Sequence, residues 1–232
     1  MSRLDQAAPG LHIAQPERGF RYGAESFWLV GFALEILHHR DLQVVGERAL
    51  DLGTGSGIIA GLLATHGMRA RGVELREEWA PLWQRTLQAS SAAERLHLEV
   101  ADLRSVKDQA LLVCTNPPFF PSGSGPIAAD AWRAAARTES TATLADVLAA
   151  IARCLSPHGV GCLVLPVERA VEVLTLAPSL GLSPLRQVQV GARRWLCALT
   201  LDASTAWPAV ERYGEKDPVV LGWAARARHA QI

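Results

Sequence analysis

Along the middle of the chain, short apolar runs alternate with segments in which apolar positions lie three and four residues apart. These two patterns predict strands and helices in turn. Short apolar runs predict strands at residues 49–52, 69–74, 96–101, 110–115, 160–165, 185–190 and 195–201. Apolar positions three and four residues apart predict helices at residues 27–39, 58–66, 77–90, 143–155 and 168–176. This order predicts an α/β fold, with a Rossmann-like, mostly parallel sheet of seven strands that ends in an antiparallel hairpin.

Proline and glycine mark the connections between these elements. They predict a loop at residues 121–126, a turn at residues 157–159 and the hairpin turn at residues 191–194. Three regions follow along the chain: residues 1–45, the α/β domain at residues 46–202, and a tail at residues 203–232. The tail carries Trp207, Tyr213 and Trp223 before two arginines. Its end predicts either a short basic helix or a frayed terminus.

Composition narrows the class of protein without identifying it. About half of the 232 residues are hydrophobic, which suits a substantial core, and no apolar run reaches the roughly 18–20 residues that span a bilayer. The first ten residues lack the pattern of a signal peptide, so we expect a soluble, cytoplasmic protein with no membrane partner. The four cysteines are scattered and form no Cys-x-x-Cys pair, which predicts reduced core thiols and no metal site.

The charge of the chain does not exclude nucleic acid as a partner. The formal net charge is zero, which argues against strong indiscriminate binding to nucleic acid. A local basic face is sufficient for phosphate contacts, and arginine, which greatly outnumbers lysine here, suits bidentate phosphate contacts. Nothing in the sequence indicates an oligomeric state.

The most informative motif is the string from Asp51 to Gly57, in which the first predicted strand of the domain ends and a glycine loop follows. Its glycines permit tight backbone angles and close approach of a ligand at the carboxyl end of the strand. A carboxylate at Asp51 would repel a pyrophosphate but can bind the ammonium group of S-adenosylmethionine. The motif therefore predicts an S-adenosylmethionine site, with these residues as cofactor contacts: Asp51, Gly53, Thr54, Gly55 and Gly57.

Two further acidic residues end neighbouring strands. Glu74 is placed to accept both ribose hydroxyl protons, with Leu75 beside it. Asp102 is placed to accept from the adenine amino group, and Leu103 supplies a backbone N–H. Two alternatives remain open. The residues from Gly55 to Ala60 also satisfy a loose dinucleotide pattern with Glu74 as its ribose acid, and Asp102 could instead cap a helix.

A second motif, Asn116-Pro117-Pro118-Phe119, follows the fourth predicted strand of the domain. An amino group conjugated to a ring is a poor nucleophile until acceptors hold its N–H groups. The Asn116 amide oxygen and the Pro117 carbonyl can supply two acceptors, and Phe119 can stack on a planar substrate. The motif predicts the catalytic residues of a methyl transfer to nitrogen, in which positioning supplies most of the acceleration. Asn116 is also a predicted cofactor contact. The alternatives are an Asn-Pro turn with an apolar anchor and, for Phe120, either substrate stacking or core packing.

Together these residues resemble the amino-methyltransferases with an Asn-Pro-Pro-aromatic motif. Within that group the chain is most similar to the bacterial valine-tRNA (adenine-N6) methyltransferases. Residues 20–29, which include Tyr22, resemble the family's opening segment, and residues 136–139, which include Arg137, resemble an element after the catalytic loop. Phe119 stands where tyrosine is common in the family, and Glu25 where aspartate is usual.

The resemblance implies a class I methyltransferase fold and methylation of adenine N6 in the anticodon loop of a tRNA, with S-adenosylmethionine as cofactor. Residues 1–45 would cover the substrate or cofactor, with Tyr22 near the methionine end. Phe120, Arg133 and Arg137 would bind the substrate. Because Phe119 also suits guanine, rRNA guanine-N2 methylation stays open, as does methylation of a protein glutamine. An RNA-binding module and a dinucleotide-dependent oxidoreductase are the alternatives from other classes.

Overall fold

The computed structural model describes residues 2–17, 21–117, 142–202 and 206–229. Its strands are β1 (Ser2–Ala8), β2 (Leu11–Pro16), β3 (Arg48–Leu52), β4 (Arg69–Glu74), β5 (Leu96–Val100), β6 (Ala110–Thr115), β7 (Leu155–Pro166), β8 (Ser183–Val190), β9 (Arg194–Thr200) and β10 (Glu211–Tyr213). Its α-helices are α1 (Ala24–His39), α2 (Ile58–Thr65), α3 (Ala80–Ala89), α4 (Leu144–Cys154), α5 (Ala170–Leu176) and α6 (Pro218–Arg228).

Eight of these strands form one sheet in the order β10-β8-β9-β7-β6-β3-β4-β5. Strand β9 runs antiparallel to both β7 and β8, and the remaining neighbours are parallel. The predicted fold is therefore confirmed, including the antiparallel hairpin made by β8 and β9. The sheet has one strand more than predicted, because the tail adds β10 at the edge.

Side chains that alternate between the two faces of each strand divide the core into two layers. On β6, Leu112 and Cys114 contribute to the cluster that packs under α1, α2 and α6, whereas Val113 contributes to the cluster under α4 and α5. Successive side chains of a strand point to opposite faces, so a continuous apolar strand covers both layers. Since β3, β4, β5 and β6 are parallel, their carboxyl ends lie at one edge of the sheet. The glycine loop after β3 and Asn116 after β6 lie at that edge.

A two-stranded hairpin, β1–β2, precedes the sheet and is not predicted by the sequence. It packs on α3, and hydroxyl groups within α3 and just after it accept hydrogen bonds from backbone N–H groups of β2. The Ala14 N–H donates to Thr86 Oγ1 at 2.9 Å, and the His12 N–H donates to Ser90 Oγ at 3.0 Å. The hairpin edge is thereby covered.

The tail folds onto the domain, so the frayed alternative is wrong and the helical one is correct for residues 218–228. Trp223 of α6 is buried, and its ring lies edge-on to Phe32 of α1 with 5.3 Å between centroids. A Cβ at Gly31 would lie 2.1 Å from the Trp223 carbonyl oxygen. Only glycine at this position allows α1 and α6 to pack so closely.

One local prediction is wrong. The sequence predicts a turn at residues 157–159 before a strand, but these residues lie within β7. The pairing of β7 with β6 jumps from Ala110↔Leu155 to Leu112↔Val160, so the intervening residues form a bulge rather than a break. Gly159 permits the bulge, since a Cβ there would lie 3.0 Å from the Ala110 carbonyl oxygen.

Candidate functional site

A cavity opens at the carboxyl ends of β3, β4, β5 and β6, where parallel α/β sheets bind ligands. Its lining consists of residues from the ends of these strands, the loops that follow them and the start of α4: Leu52, Gly53, Gly55, Val73, Glu74, Leu75, Arg76, Trp79, Ala101, Asp102, Leu103, Thr115, Asn116, Pro117, Ala142 and Val147. Of the residues predicted from the two motifs, Gly53, Gly55, Asn116 and Pro117 line this cavity. The predicted residues at the neighbouring strand ends also line it: Glu74, Leu75, Asp102 and Leu103.

The glycine loop is tied to the neighbouring strand. The N–H groups of Gly53 and Thr54 both donate to the Val73 carbonyl of β4 at 2.9 Å. Gly57, with φ of +83°, begins α2, and a Cβ there would lie 2.8 Å from the Leu98 side chain. Gly53 and Gly55 therefore face the cavity, whereas Gly57 and Thr54 hold the loop from behind.

Asp51 lies behind this loop and does not line the cavity. It is 1% exposed, and its Oδ2 accepts from Thr54 Oγ1 at 2.5 Å and from the Ala60 N–H at 3.2 Å. Its Oδ1 is buried with no hydrogen-bond partner in the described part of the chain. Burial raises the Asp51 pKa to about 7, although the bonds from Thr54 and Ala60 lower it.

Glu74 lies at the end of β4, in the cavity wall. Its Oε2 accepts from the Gly55 N–H at 3.2 Å, and its Oε1 accepts from the Arg76 N–H at 3.1 Å. Burial raises its pKa despite these two bonds. The carboxylate thus links the glycine loop to the next strand and keeps lone pairs on the cavity side. Leu75 beside it is 42% exposed and offers an apolar surface.

Asp102 and Leu103 form the opposite wall. The Asp102 carboxylate caps the 3₁₀ turn Leu103–Ser105, because its Oδ1 accepts from the Arg104 N–H at 2.9 Å. The Arg104 guanidinium also pairs with it and holds its pKa below the usual range. The capping role of Asp102 is thus observed, while an adenine contact stays a prediction. From α4, Arg153 donates to the Leu103 carbonyl at 2.8 Å and to the Val106 carbonyl at 2.7 Å.

Asn116 and Pro117 lie directly after β6, beside the glycine loop. Thr115 donates through its hydroxyl to the Leu52 carbonyl at 2.7 Å, which joins the ends of β6 and β3. The Asn116 Oδ1 is buried and has no hydrogen-bond partner among the described residues. A buried amide oxygen without a donor is costly, so this oxygen is a candidate acceptor for a group bound in the cavity.

Tyr22 is the one remaining predicted residue that the structure describes, and it is not in the cavity lining. Tyr22 lies beside the N-terminal hairpin, where its N–H donates to Gln15 Oε1 at 3.1 Å and its ring meets Phe27 edge-on at 5.9 Å. Pro118, Phe119, Phe120, Arg133 and Arg137 fall outside the described residues, as does the loop predicted at residues 121–126. Their roles stay predictions.

Sequence reasoning missed the aromatic support of the loop. Trp83 of α3 donates from its indole nitrogen to the Gly55 carbonyl at 2.9 Å. Trp79 is buried in the cavity lining, and the Arg76 guanidinium lies 6.0 Å from its ring centroid. The only signal was an unusual pair of tryptophans four residues apart in the helical segment that faces the loop.

The described residues show neither a metal centre nor a membrane span. They contain no group of three His, Cys, Asp or Glu side chains placed to hold a metal ion. None of their helices is both long and apolar enough to cross a bilayer.

Sequence comparison finds relatives that are named as tRNA methyltransferases. No family model matches the chain. A tRNA1(Val) (adenine(37)-N6)-methyltransferase of Tolumonas auensis is 32% identical over 152 residues, which cover 64% of this chain and 63% of the relative. A relative of the same name from Shigella dysenteriae is 32% identical over 142 residues, which cover 58% of this chain and 57% of the relative. The chain thus spans less than two thirds of the length of these relatives.

Solved structures share the fold at low sequence identity. A predicted O-methyltransferase from Agrobacterium tumefaciens superposes with a TM-score of 0.60 at 15% identity, over 88% of this chain and 97% of that chain. The CcbJ methyltransferase of Streptomyces caelestis gives 0.57 at 11% identity, over 79% of this chain and 94% of that chain. This chain therefore has the α/β fold of class I methyltransferases, and the predicted resemblance to the tRNA1(Val) (adenine(37)-N6)-methyltransferases is confirmed by sequence similarity over part of its length.

Proposed function

We propose that this chain is an enzyme that transfers a methyl group from S-adenosylmethionine to the exocyclic N6 of an adenine in tRNA. The observation that carries the proposal is the Asn116 amide oxygen, a buried acceptor without a described partner in the wall of the cavity. An acceptor held in this way is suited to an amino group that must give up its planarity to react.

The residues of the cavity fit S-adenosylmethionine. Gly53 and Gly55 leave room at the end of β3, because a Cβ at Gly53 would meet nothing within 4 Å. Glu74 presents a carboxylate for ribose hydroxyls, and Leu75 and Leu103 present apolar surface for a purine ring. Asp51 would act on the ammonium group through the loop that it supports, since its own carboxylate lies behind that loop.

When bound, S-adenosylmethionine supplies a methyl group on a positively charged sulfonium. The work left to the chain is to hold and orient the acceptor nitrogen. The Asn116 Oδ1 and the Pro117 carbonyl accept its two N–H groups, which directs its lone pair toward the cofactor side of the cavity. The proposed transfer uses no strong general base, because the methyl donor is charged, and positioning accounts for most of the rate.

The names of the relatives favour tRNA adenine over the other acceptors. The relatives from Tolumonas auensis and Shigella dysenteriae are both named for adenine N6 of tRNA1(Val), and neither name points to guanine or glutamine. We extend this substrate class to the present chain, together with roles for Phe119 and Phe120 in stacking on the base and for Arg133 and Arg137 in phosphate contacts. A tRNA substrate is consistent with a cytoplasmic location.

The test compares two substitutions at one position. Asn116→Ala removes the acceptor, and we expect methyl transfer to fall at least about 10²-fold while S-adenosylmethionine affinity changes less than about threefold. Asn116→Asp keeps an acceptor oxygen and should retain more activity than Asn116→Ala. Transfer is measured with labelled cofactor and affinity by calorimetry. Normal turnover in Asn116→Ala would refute the proposed role, and an absence of cofactor binding in the wild type would refute the cofactor.

A further inference from the structure

The opposite edge of the sheet carries a second groove, of about 490 Å³, at the amino ends of β3, β4 and β5. It is lined by arginines together with a few other polar groups: Arg48, Arg69, Arg71, Glu94, Arg95, His97, Asp108 and Gln109. The proposed methyl transfer uses none of these residues, because its cavity lies at the carboxyl ends of the same strands.

The groove exists because one crossover lacks a helix. The connection from β3 to β4 contains α2, and that from β4 to β5 contains α3. By contrast, residues 101–109, which connect β5 to β6 and are all described, contain only the 3₁₀ turn Leu103–Ser105. Parallel strands are ordinarily joined by a helix that covers the sheet. Here the amino ends of β4 and β5 stay open on the face that such a helix would cover.

Two arginines face this open region side by side. Arg48 of β3 and Arg69 of β4 are register partners, so their side chains point to the same face of the sheet from strands about 4.8 Å apart. Their neighbours Ala49 and Ala70 point the other way, into the core under α2. Like charges directly opposite on neighbouring strands destabilise a sheet. A position of this kind favours an anion between the two guanidinium groups.

Glu94 and Asp108 line the groove, but among the described residues neither forms an ion pair with Arg48 or Arg69. Glu99 and Asp108 both pair with Arg71. In the described structure no carboxylate lies within 4.0 Å of the Arg48 or Arg69 guanidinium, and both residues are exposed. Arg95 donates from Nε to the Ala64 carbonyl at 3.1 Å and is thereby held at the rim of the groove.

We propose that this groove binds phosphate groups, with Arg48 and Arg69 as the primary contacts. Paired guanidinium groups present parallel N–H donors that match phosphate oxygens bidentately. An RNA backbone and a free phosphate anion both supply such oxygens, so the recognition chemistry is the same for the two sources. The inference is independent of the proposed methyl transfer, because it concerns other residues at the other edge of the sheet.

The test uses the full chain and two probes, a single-stranded uridine 15-mer and inorganic pyrophosphate. Neither probe contains adenine. The variant is Arg48→Gln/Arg69→Gln, and the matched control is Arg212→Gln, which removes an exposed arginine from β10. Both variants should fold, checked by circular dichroism and thermal unfolding. We expect the double variant to bind the oligonucleotide more weakly and to lower the slope of log K against log salt by about 1.4, at about 0.7 for each phosphate that is no longer neutralised.

The outcomes separate the two sources of phosphate. Loss of oligonucleotide binding in the double variant, with Arg212→Gln unchanged, supports an RNA-backbone site. Loss of pyrophosphate binding alone supports a site for a free phosphate anion. The proposal is overturned if the double variant binds both probes like the wild type, if the wild type binds neither probe, or if Arg212→Gln causes an equal loss. None of these outcomes depends on whether the chain transfers methyl groups.

Discussion

Two carboxylates have pKa values that the fold shifts in opposite directions: Asp51, which is buried behind the glycine loop, and Glu35, which is half-buried between α1 and the tail. Asp51 accepts two hydrogen bonds from Thr54 and Ala60, and burial raises its pKa to about 7. Burial would also raise the Glu35 pKa, but hydrogen bonds from Arg186 and Trp223 outweigh burial and hold it below the usual range. Arg226 pairs with Glu35 as well, at 3.0 Å.

The difference indicates a structural role for the tail interface and a functional role for the cavity. At the interface with the tail, each partner of Glu35 adds stability, and Arg186 also pairs with Glu211 at 2.7 Å. At the cavity, Asp51 and Asn116 each keep a buried oxygen without a described partner. Two other buried atoms, Asp5 Oδ1 and Arg40 Nε, also lack a described partner, so the contrast lies between these two sites and not between the cavity and the rest of the fold.

The largest expected effect is the change with pH in the stability that Asp51 contributes to the folded chain. Its folded pKa of about 7 lies above the ordinary value of 3.8, so the folded state is favoured by protonation. This contribution to stability is fully present below pH 3.8 and is lost as the pH rises to about 7, on the order of 4 kcal/mol in total. The Asp51→Asn variant should not lose this stability as the pH rises, because an amide does not ionise. Chemical unfolding of both proteins from about pH 4 to pH 8 measures the difference, and parallel profiles would show that Asp51 is ionised throughout.

The next effect is at the contact between α1 and α6. Gly31→Ala places a Cβ against the backbone of Trp223 and should lower the free energy of unfolding by about 3 kcal/mol, because two helices must move apart. Gly222→Ala is the matched control, since a Cβ at Gly222 meets nothing within 4 Å. That change should stabilise α6 by up to about 1 kcal/mol. Equal stability of the two variants would disprove the close approach of the helices.

Glu35→Gln should cost about 2 kcal/mol near neutral pH, because the amide leaves Arg186 and Arg226 less well neutralised. The Glu35 pKa is lowered in the fold, so its contribution is present above the ordinary value of 4.5 and is lost as the pH falls through the folded value. Wild type and variant should therefore converge in acid. Urea unfolding at about pH 7 and about pH 3 tests this, and a constant difference at both would argue against the ion pairs.

The smallest effect concerns the support of the glycine loop. Trp83→Phe removes the indole donor to the Gly55 carbonyl while keeping an aromatic ring. We expect about 1 kcal/mol of lost stability and a loss of S-adenosylmethionine affinity of about fivefold, because the loop is less well held. Calorimetric titration measures the affinity. An unchanged affinity would mean that Trp83 supports the core alone.

The cavity was largely predictable because its parts are local. The glycine loop, Glu74 and Asn116 each follow a strand with a clear apolar run, and parallel topology then brings their carboxyl ends together. The same logic predicted α4, whose Thr143 and Asp146 form a capping box.

The rest depended on contacts between distant residues. Trp83 reaches Gly55 across 28 positions, and Trp223 reaches Glu35 across 188. No local sequence pattern predicts contacts between residues so far apart in the chain. The hairpin β1–β2 and the short strand β10 were missed because brief strands without strong alternation resemble loops in a sequence. The bulge in β7 was mistaken for a turn because proline and glycine mark both.

The most direct test of the proposed activity is transfer of labelled methyl from S-adenosylmethionine into tRNA that lacks the modification, followed by mass analysis of the nucleosides. We expect label in N6-methyladenosine from the tRNA fraction with the wild-type chain and little or none with Asn116→Ala. Label in N2-methylguanosine, or in protein glutamine with none in RNA, would contradict the proposed acceptor. No transfer to any acceptor would contradict the proposed enzyme.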